Sequence, residues 1–132
     1  MIYLKFMAVL LPLMLVIDAL WIGGVAGSFY RSNLGYIMSG KINWIPAVLF
    51  YIIYILGLVY FVILPGLTNG NIFQTVLRGA LFGLVAYSTY DLTNHATLRD
   101  WPAIVTVVDM AWGTLLTGLI AGTGHYISKW IV

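Results

Sequence analysis

The stretch WIPAVLFYIIYILGLVYFVIL, which covers residues 44–64, contains no charged side chain. A helix needs about 20 consecutive apolar residues to cross the hydrocarbon core of a bilayer, so this stretch predicts a membrane-spanning helix. Three other long apolar stretches, at residues 2–25, 72–93 and 103–126, predict further spans. The sequence therefore predicts an all-α fold, an integral membrane four-helix bundle that forms a single transmembrane domain over residues 1–132.

The composition excludes several classes of protein. Of the 132 residues, 8% are charged and 62% are hydrophobic, and the mean hydropathy is +1.01. Soluble domains carry roughly 25% charged residues, so a water-soluble monomer is excluded and the lipid bilayer is the expected surrounding. The chain has no cysteine, which excludes disulfides, thiolate metal sites and cysteine nucleophiles. No run of lysine or arginine indicates a nucleic-acid partner, and no ligand spacing predicts a metal or a cofactor.

The connection between the first two spans is too long for a tight turn. Within it, Tyr30, Leu34, Ile37 and Met38 recur at helical spacing. This pattern predicts an amphipathic helix over residues 28–39 that lies along the membrane surface. An ordered loop packed on the bundle is the alternative interpretation.

Proline and glycine predict where the other helices begin and end. Pro65 and Gly66 are expected to end the second span, because proline does not continue a helix and glycine tolerates the turn. Asp100 is expected to cap the fourth span, with Pro102 in its first turn. Four tryptophans near span ends are interpreted as aromatic belts: Trp21, Trp44, Trp101 and Trp130.

The acidic residues converge at one depth of the predicted bundle. Asp18 in the first span and Asp109 in the fourth lie at nearly the same level, given a rise of about 1.5 Å per residue. Asp91 and Asn94 in the third span lie closer to the same surface. Burying a charge in a bilayer costs roughly 2.5–3.5 kcal/mol on insertion scales, so these positions are candidates for a shared polar site. Helices locked by a purely structural hydrogen-bond network are the alternative.

Helical spacing adds neighbours to this cluster. Tyr87, Asp91 and Asn94 share one face of the third helix, which His95 flanks, and Trp112 lies beside Asp109 on the fourth. The third and fourth helices are joined by a short connection and are expected to pack antiparallel. Small residues allow such helices to approach closely, and the third helix offers two on one face: Gly79 and Gly83.

Two motifs resemble a known family. The run YSTYDLTNHATLRDWP at residues 87–102, followed by VDMAWG at residues 108–113, is similar to the signature of small bacterial predicted membrane proteins that form a domain of unknown function. The resemblance implies a bacterial inner (cytoplasmic) membrane protein that crosses the membrane several times, and it implies no activity. It emphasises six positions of this sequence: Asp18, Asp91, Thr93, Asn94, Asp109 and Trp112.

The sequence leaves three functions open. The leading hypothesis is binding or transport of a small polar or cationic solute, with proton coupling through the acids as one form of it. The second is a lipid-modifying membrane enzyme that uses the aspartates, or Asp91 paired with His95, as acid and base. The third is a structural protein whose glycine faces form a homo-oligomer. The candidate binding residues are Asp18, Tyr87, Asp91, Thr93, Asn94, His95, Asp109 and Trp112.

Overall fold

The computed structural model describes residues 1–132 and contains helices but no strands, which confirms the all-α prediction. Two of the longer helices contain a π-helical turn, at Trp21–Val25 and at Val59–Ile63. The five helices, numbered here in chain order, are α1 (Ile2–Val25), α2 (Gly27–Leu34), α3 (Trp44–Asn69), α4 (Ile72–Thr97) and α5 (Ala103–Ile131).

Three of these helices, α1, α3 and α5, are long and apolar enough to cross a membrane. Helix α4 is also long, with 26 residues, but it is less apolar than the other three. Its polar side chains include Gln74, Arg78, Asp91 and His95. The chain is therefore a membrane protein with three candidate spans, and α4 is the helix whose placement needs a further argument.

Helix α3 does not end where proline and glycine predicted. It continues through Pro65 and Gly66 to Asn69. The π turn at Val59–Ile63 comes directly before this segment, so Pro65 falls in the first turn after it, where a missing N–H group is tolerated. Gly66 is required for packing, because a Cβ atom there would collide with the side chain of Thr75 on α4.

The start of α5 also differs from the prediction. Asp100 does not cap the helix; its φ angle of 59° places it in a left-handed turn, a conformation that aspartate adopts more readily than most residues. Pro102 occupies the cap position and α5 begins at Ala103. The hydroxyl of Tyr36 donates to the backbone oxygen of Asp100 at 2.9 Å, which holds this turn against the loop that follows α2.

Helix α2 is shorter than the 28–39 segment that the sequence predicted, because it ends at Leu34 and turns follow it. Leu34 is buried in a small cluster with Trp101 and Val105. Trp101 is 7% exposed and its indole Nε1 donates to the hydroxyl of Thr106 at 3.0 Å. Trp101 therefore packs inside the protein, and its interpretation as part of an aromatic belt is wrong.

Helices α4 and α5 pack antiparallel through their small residues, as predicted. A Cβ atom at Gly79 would collide with the side chain of Ala121, and one at Gly83 would collide with the backbone oxygen of Gly113. These contacts bring the two backbones close together along much of their length. The glycine surfaces that suggested oligomerisation are thus occupied by contacts within one chain.

The main core lies between α1, α3 and α5. It contains Phe6 and Leu10 from α1, Ile55 from α3, and Leu116 and Ile120 from α5. At one end of the bundle, Lys5 Nζ donates to the backbone oxygen of Ile131 at 2.8 Å. The beginning of α1 and the end of α5 therefore lie at the same end of the molecule.

Candidate functional site

All five helices or the turns that follow them contribute to one cavity of about 540 Å³. This volume lies within the range of small-molecule sites, about 300–1,000 Å³. The charged groups of its wall are the carboxyl groups of Asp18 and Asp109. Most of the remaining lining is aromatic: Trp21, Tyr30, Phe50, Tyr51, Tyr54, Tyr87, Tyr90 and Trp112.

Asp18 is buried, with 6% of its surface exposed, and both of its carboxylate oxygens accept a hydrogen bond. The hydroxyl of Tyr51 on α3 donates to Oδ2 at 2.7 Å. The indole Nε1 of Trp112 on α5 donates to Oδ1 at 3.0 Å. A buried carboxyl group is tolerated when donors satisfy it, and through these two hydrogen bonds Asp18 joins α1, α3 and α5 beside the cavity.

Asp109 has a different set of partners. Its Oδ1 accepts a hydrogen bond from the Tyr30 hydroxyl at 2.9 Å, and the Tyr30 oxygen in turn accepts one from Trp21 Nε1 at 3.2 Å. Its other polar neighbour is Asp91 on α4, which lies close enough for a hydrogen bond between the two carboxyl groups when one of them is protonated. Burial raises the pKa of the Tyr30 hydroxyl, so this group keeps its proton and stays a donor to Asp109.

Two indoles form one wall of the cavity. The rings of Trp21 and Trp112 stack with their centroids 4.2 Å apart and their planes 3° from parallel. Trp21 is therefore directed into the protein by its contacts with Trp112 and Tyr30, and its interpretation as a belt residue is also wrong. The stack joins the π turn of α1 to α5 at the level of the two carboxylates.

A chain of hydroxyl groups continues from the cavity into the contact between α4 and α5. The Thr117 hydroxyl donates to the backbone oxygen of Gly113 at 2.7 Å. Because its one proton is used there, Thr117 Oγ1 accepts from the Tyr54 hydroxyl, which lies 2.6 Å away. Tyr87 packs edge-on against Tyr54 and covers Gly113, where a Cβ atom would collide with its ring.

Asp91 lies behind the cavity wall. It is completely buried, and no N–H or hydroxyl group of the protein donates to either of its carboxyl oxygens. Its side chain meets that of Asp109 across the contact between α4 and α5, close enough for a hydrogen bond between the two carboxyl groups when one of them is protonated. Burying a second carboxyl group beside Asp109 is costly, so Asp91 is an energetically expensive residue in this structure.

The remaining predicted residues of α4 lie outside the cavity. Thr93 is exposed, and its hydroxyl donates to backbone oxygens of its own helix. Asn94 is half-buried but is not part of the lining. His95 Nδ1 lies 3.3 Å from Thr106 Oγ1 and forms no hydrogen bond with Asp91. The structure thus lacks the Asp91–His95 pair that one form of the enzyme hypothesis used.

The structure contains no group of three histidine or acidic side chains that could hold a metal ion. Asp18 and Asp109 face a common space, but Asp91 does not complete a ligand set with them. The arrangement is better suited to an organic group that can contact aromatic rings than to a bare cation such as calcium, which takes about 6–8 oxygen ligands.

A family model described as "Predicted membrane protein (DUF2177)" matches residues 3–126. The chain belongs to this family. The match confirms the resemblance that the two sequence motifs suggested, and it covers every residue that lines the cavity. No curated protein and no solved structure matches the chain.

The cavity of this DUF2177 chain contains four of the eight predicted site residues: Asp18, Tyr87, Asp109 and Trp112. Sequence reasoning missed the donors that hold the two carboxylates in place. Tyr51 and Tyr54 carried a usable signal, because two hydroxyl groups in the middle of a charge-free span need partners. Tyr30 carried none, since nothing in the sequence of its connection indicates that it reaches Asp109.

Proposed function

We propose that this protein binds a small organic cation in the cavity between its helices. The observation that carries the proposal is the lining, in which the carboxyl groups of Asp18 and Asp109 are set among aromatic rings. Aromatic rings attract cations through their negative faces, and carboxylates attract them through charge. A ligand with an apolar body and one positive charge satisfies both features.

The distribution of charge favours a cation over an anion or a neutral polar solute. No lysine, arginine or histidine lines the cavity. Charges interact more strongly in a protein interior than in water, because the effective dielectric constant there is about 20 or lower compared with about 80. An anion would meet repulsion without compensation, and a neutral polar solute such as a sugar would leave most of its hydroxyl groups against aromatic carbon.

We propose further that α4 is a fourth membrane span within one transmembrane domain. Three spans would put the start of α1 and the end of α5 on opposite sides of the membrane, whereas Lys5 contacts Ile131. The face of α4 that turns away from the bundle also supports this view, because it carries exposed apolar side chains at helical intervals: Phe73, Leu77, Leu81, Leu84 and Leu92. Lipid would cover this stripe.

Transport coupled to protons is part of the proposal. Asp109 lines the cavity, and a cation that pairs with its carboxyl group competes with a proton for that group. Exchange of the two would couple movement of the cation in one direction to movement of a proton in the other. A helical bundle with this site fits the cytoplasmic membrane that the sequence motifs implied.

Binding can be tested on the purified protein in detergent micelles with 2-phenylethylammonium as the probe. The anion 3-phenylpropanoate has a similar body and the opposite charge, so it serves as the control ligand. We expect the cation to bind, by calorimetry and by a change in the fluorescence of Trp21 and Trp112, and the anion not to bind. Equal binding of both probes, or of neither, would contradict the proposal.

Variants localise the site. Asp18→Asn and Asp109→Asn should each weaken binding of the cation by about 10-fold or more, because a hydrogen bond or ion pair to a charged group contributes about 1.5–3 kcal/mol. Asp100→Asn is the matched control, since Asp100 is an exposed acid in the connection before α5 and does not line the cavity. A comparable loss in Asp100→Asn would show that binding depends on overall charge and not on the cavity.

A further inference from the structure

We infer that a groove between α4 and α5 binds an anionic phospholipid, with one acyl chain in the groove and the phosphate group at Lys129. The groove opens on the outer surface of the two helices and is separate from the cavity described above. The inference goes beyond the proposed function, because no ligand of the cavity takes part in it. It follows from an apolar groove that has a lysine at one end and no acidic residue near that end.

The groove has a volume of about 360 Å³. Its lining consists of one residue of α4 and five of α5: Val76, Gly118, Leu119, Gly122, Thr123 and Tyr126. The one short polar side chain among them is that of Thr123, whose hydroxyl donates to the backbone oxygen of Leu119 at 2.9 Å. A ligand therefore meets mainly aliphatic and aromatic carbon along the groove, which suits a hydrocarbon chain.

The groove lies on a surface that lipid surrounds. Helix α5 is long and apolar enough to cross a membrane. Two of the large side chains that line the groove remain exposed, Leu119 by 56% and Tyr126 by 54%. These two residues are about 10 Å apart along the helix, given a rise of about 1.5 Å per residue. An exposed apolar surface of this kind is a contact site for lipid or for another protein.

The size of the groove favours a lipid chain over a helix of a second copy. A helix with its side chains is about 10–12 Å wide, so two turns of it occupy roughly 800–1,200 Å³. The groove holds less than half of that volume. Glycines allow a second helix to approach closely only when they are uncovered, but Val76 and Ala80 of α4 already lie against Gly122 and Gly118. A single file of methylene groups needs much less space.

Lys129 supplies a positive charge at one end of the groove. Its Nζ lies 3.9 Å from the ring centroid of Tyr126, which lines the groove, and 4.2 Å from that of Trp130. The two rings orient the ammonium group there. A lysine ammonium group has three N–H donors, and hydrogen bonds from such a group to a phosphate are charge-assisted. Lys129 is therefore placed to bind the phosphate of a lipid whose chain occupies the groove.

The aromatic residues beside Lys129 indicate its depth in the membrane. Tyr126 and Trp130 lie in the last two turns of α5, and both are exposed. Tyrosine and tryptophan are enriched at the membrane–water interface, and lysine extends its ammonium group to the same level. A phospholipid with its phosphate at this level has its acyl chains directed into the membrane, which is the direction in which the groove runs from Tyr126 to Gly118.

The end of the molecule that contains Lys129 has no acidic residue. Asp109 lies in the second turn of α5, Asp91 meets it from α4, and Asp18 is bonded to Trp112. Asp100 precedes α5. Trp112 is 17 residues before Lys129, which is about 25 Å along a helix. Because no carboxylate of the protein neutralises Lys129, an anionic head group complements the charge of this end.

The experiment compares dioleoyl-phosphatidylglycerol, which carries a net negative charge, with dioleoyl-phosphatidylcholine, which has the same chains and no net charge. Binding of each lipid to the purified protein is measured by native mass spectrometry of the detergent-solubilised protein. We expect the wild type to bind phosphatidylglycerol about fivefold tighter or more, which corresponds to about 1 kcal/mol for one basic residue at an anionic head group. This ratio needs no variant, and equal binding of the two lipids would overturn the inference.

One pair of variants tests the head-group contact. Lys129→Gln should bring the affinity for phosphatidylglycerol close to that for phosphatidylcholine, whose own affinity should change little. Lys41→Gln is the matched control, because Lys41 is an exposed lysine in the connection before α3 and does not line the groove. An unchanged preference in Lys129→Gln, or an equal loss in Lys41→Gln, would overturn the assignment of the head group to Lys129.

A second pair of variants tests the groove. Thr123→Phe places a large ring in the groove and should weaken binding of both lipids by a similar factor. Leu115→Phe is the control, since Leu115 is 71% exposed on the same helix and lies outside the groove. Unchanged lipid binding in Thr123→Phe would overturn the inference. A wild-type dimer that becomes a monomer in Thr123→Phe would also overturn it, because the groove would then hold a second copy of the chain.

Discussion

Asp91 offers the sharpest test of the energetics of this fold. It is completely buried between α4 and α5, no N–H or hydroxyl group donates to either of its oxygens, and its acidic neighbour Asp109 lies within hydrogen-bonding reach. The substitution Asp91→Asn keeps the shape of the side chain while it removes one acidic group. The new NH₂ group can donate to the Asp109 carboxylate at any pH, whereas the Asp91 carboxyl group can do so only in its protonated form. We therefore expect this substitution to stabilise the protein.

The magnitude follows from the number of unsatisfied atoms. A buried polar group without a partner costs about 1–3 kcal/mol, and the amide introduced by Asp91→Asn would provide a permanent donor to Asp109 in place of a second buried acid. The free energy of unfolding should therefore rise by about 1–3 kcal/mol. For a chain of this length, each kcal/mol raises Tm by roughly 3–5 °C. The Tm of Asp91→Asn should thus exceed that of the wild type by roughly 3 °C or more.

Thermal unfolding in detergent, followed by tryptophan fluorescence, measures this shift. Asp100→Asn is the control, because it makes the same chemical change at an exposed position and should leave Tm nearly unchanged, since most surface substitutions alter stability by less than about 0.5 kcal/mol. A lower Tm for Asp91→Asn would refute the reasoning, because it would mean that the Asp91 carboxyl group makes a more favourable contact with Asp109 than an amide does.

Two further predictions concern the fold. Gly83→Ala should lower the free energy of unfolding by about 1–3 kcal/mol, because its Cβ atom would collide with the backbone of α5. Gly24→Ala, where nothing lies within 4 Å, is the matched control, and equal Tm values for the two variants would argue against the close contact of α4 and α5. If α4 is a span, cysteines placed at Met1 and Val132 should react with an impermeant thiol reagent from the same side of the membrane. Labelling from opposite sides would leave three spans.

The parts of the fold that follow from regular helix geometry could be predicted from the sequence. The shared depth of Asp18 and Asp109 required only the span boundaries and the rise of about 1.5 Å per residue, and both residues line the same cavity. The close approach at Gly79 and Gly83 followed from the size of glycine and a short connection. These predictions succeeded because they depend on the geometry of a single helix, or on two helices that a short connection holds side by side.

The parts that depend on helix rotation could not be predicted. Tyr51 reaches Asp18 because α3 turns one particular face inward, and a uniformly apolar helix gives little periodicity from which to read that face. The spacing of Asp91 and His95 allowed a pair, but His95 lies in the last turn of α4 and its Nδ1 is close to Thr106 instead. The π turn at Trp21–Val25 directs Trp21 inward and shifts the register of α1 by one residue. No local pattern in the sequence predicted this turn.

The two carboxyl groups of the cavity are held by donors from different helices. A buried aspartate in an apolar surrounding must have donors, and Asp18 takes both of its donors from other helices, Tyr51 on α3 and Trp112 on α5. Asp109 takes one donor from α2 and meets Asp91 of α4. The surroundings of Asp18 therefore require the assembly of α1, α3 and α5, and those of Asp109 require α2, α4 and α5, so the two carboxyl groups of one cavity depend on different parts of the fold.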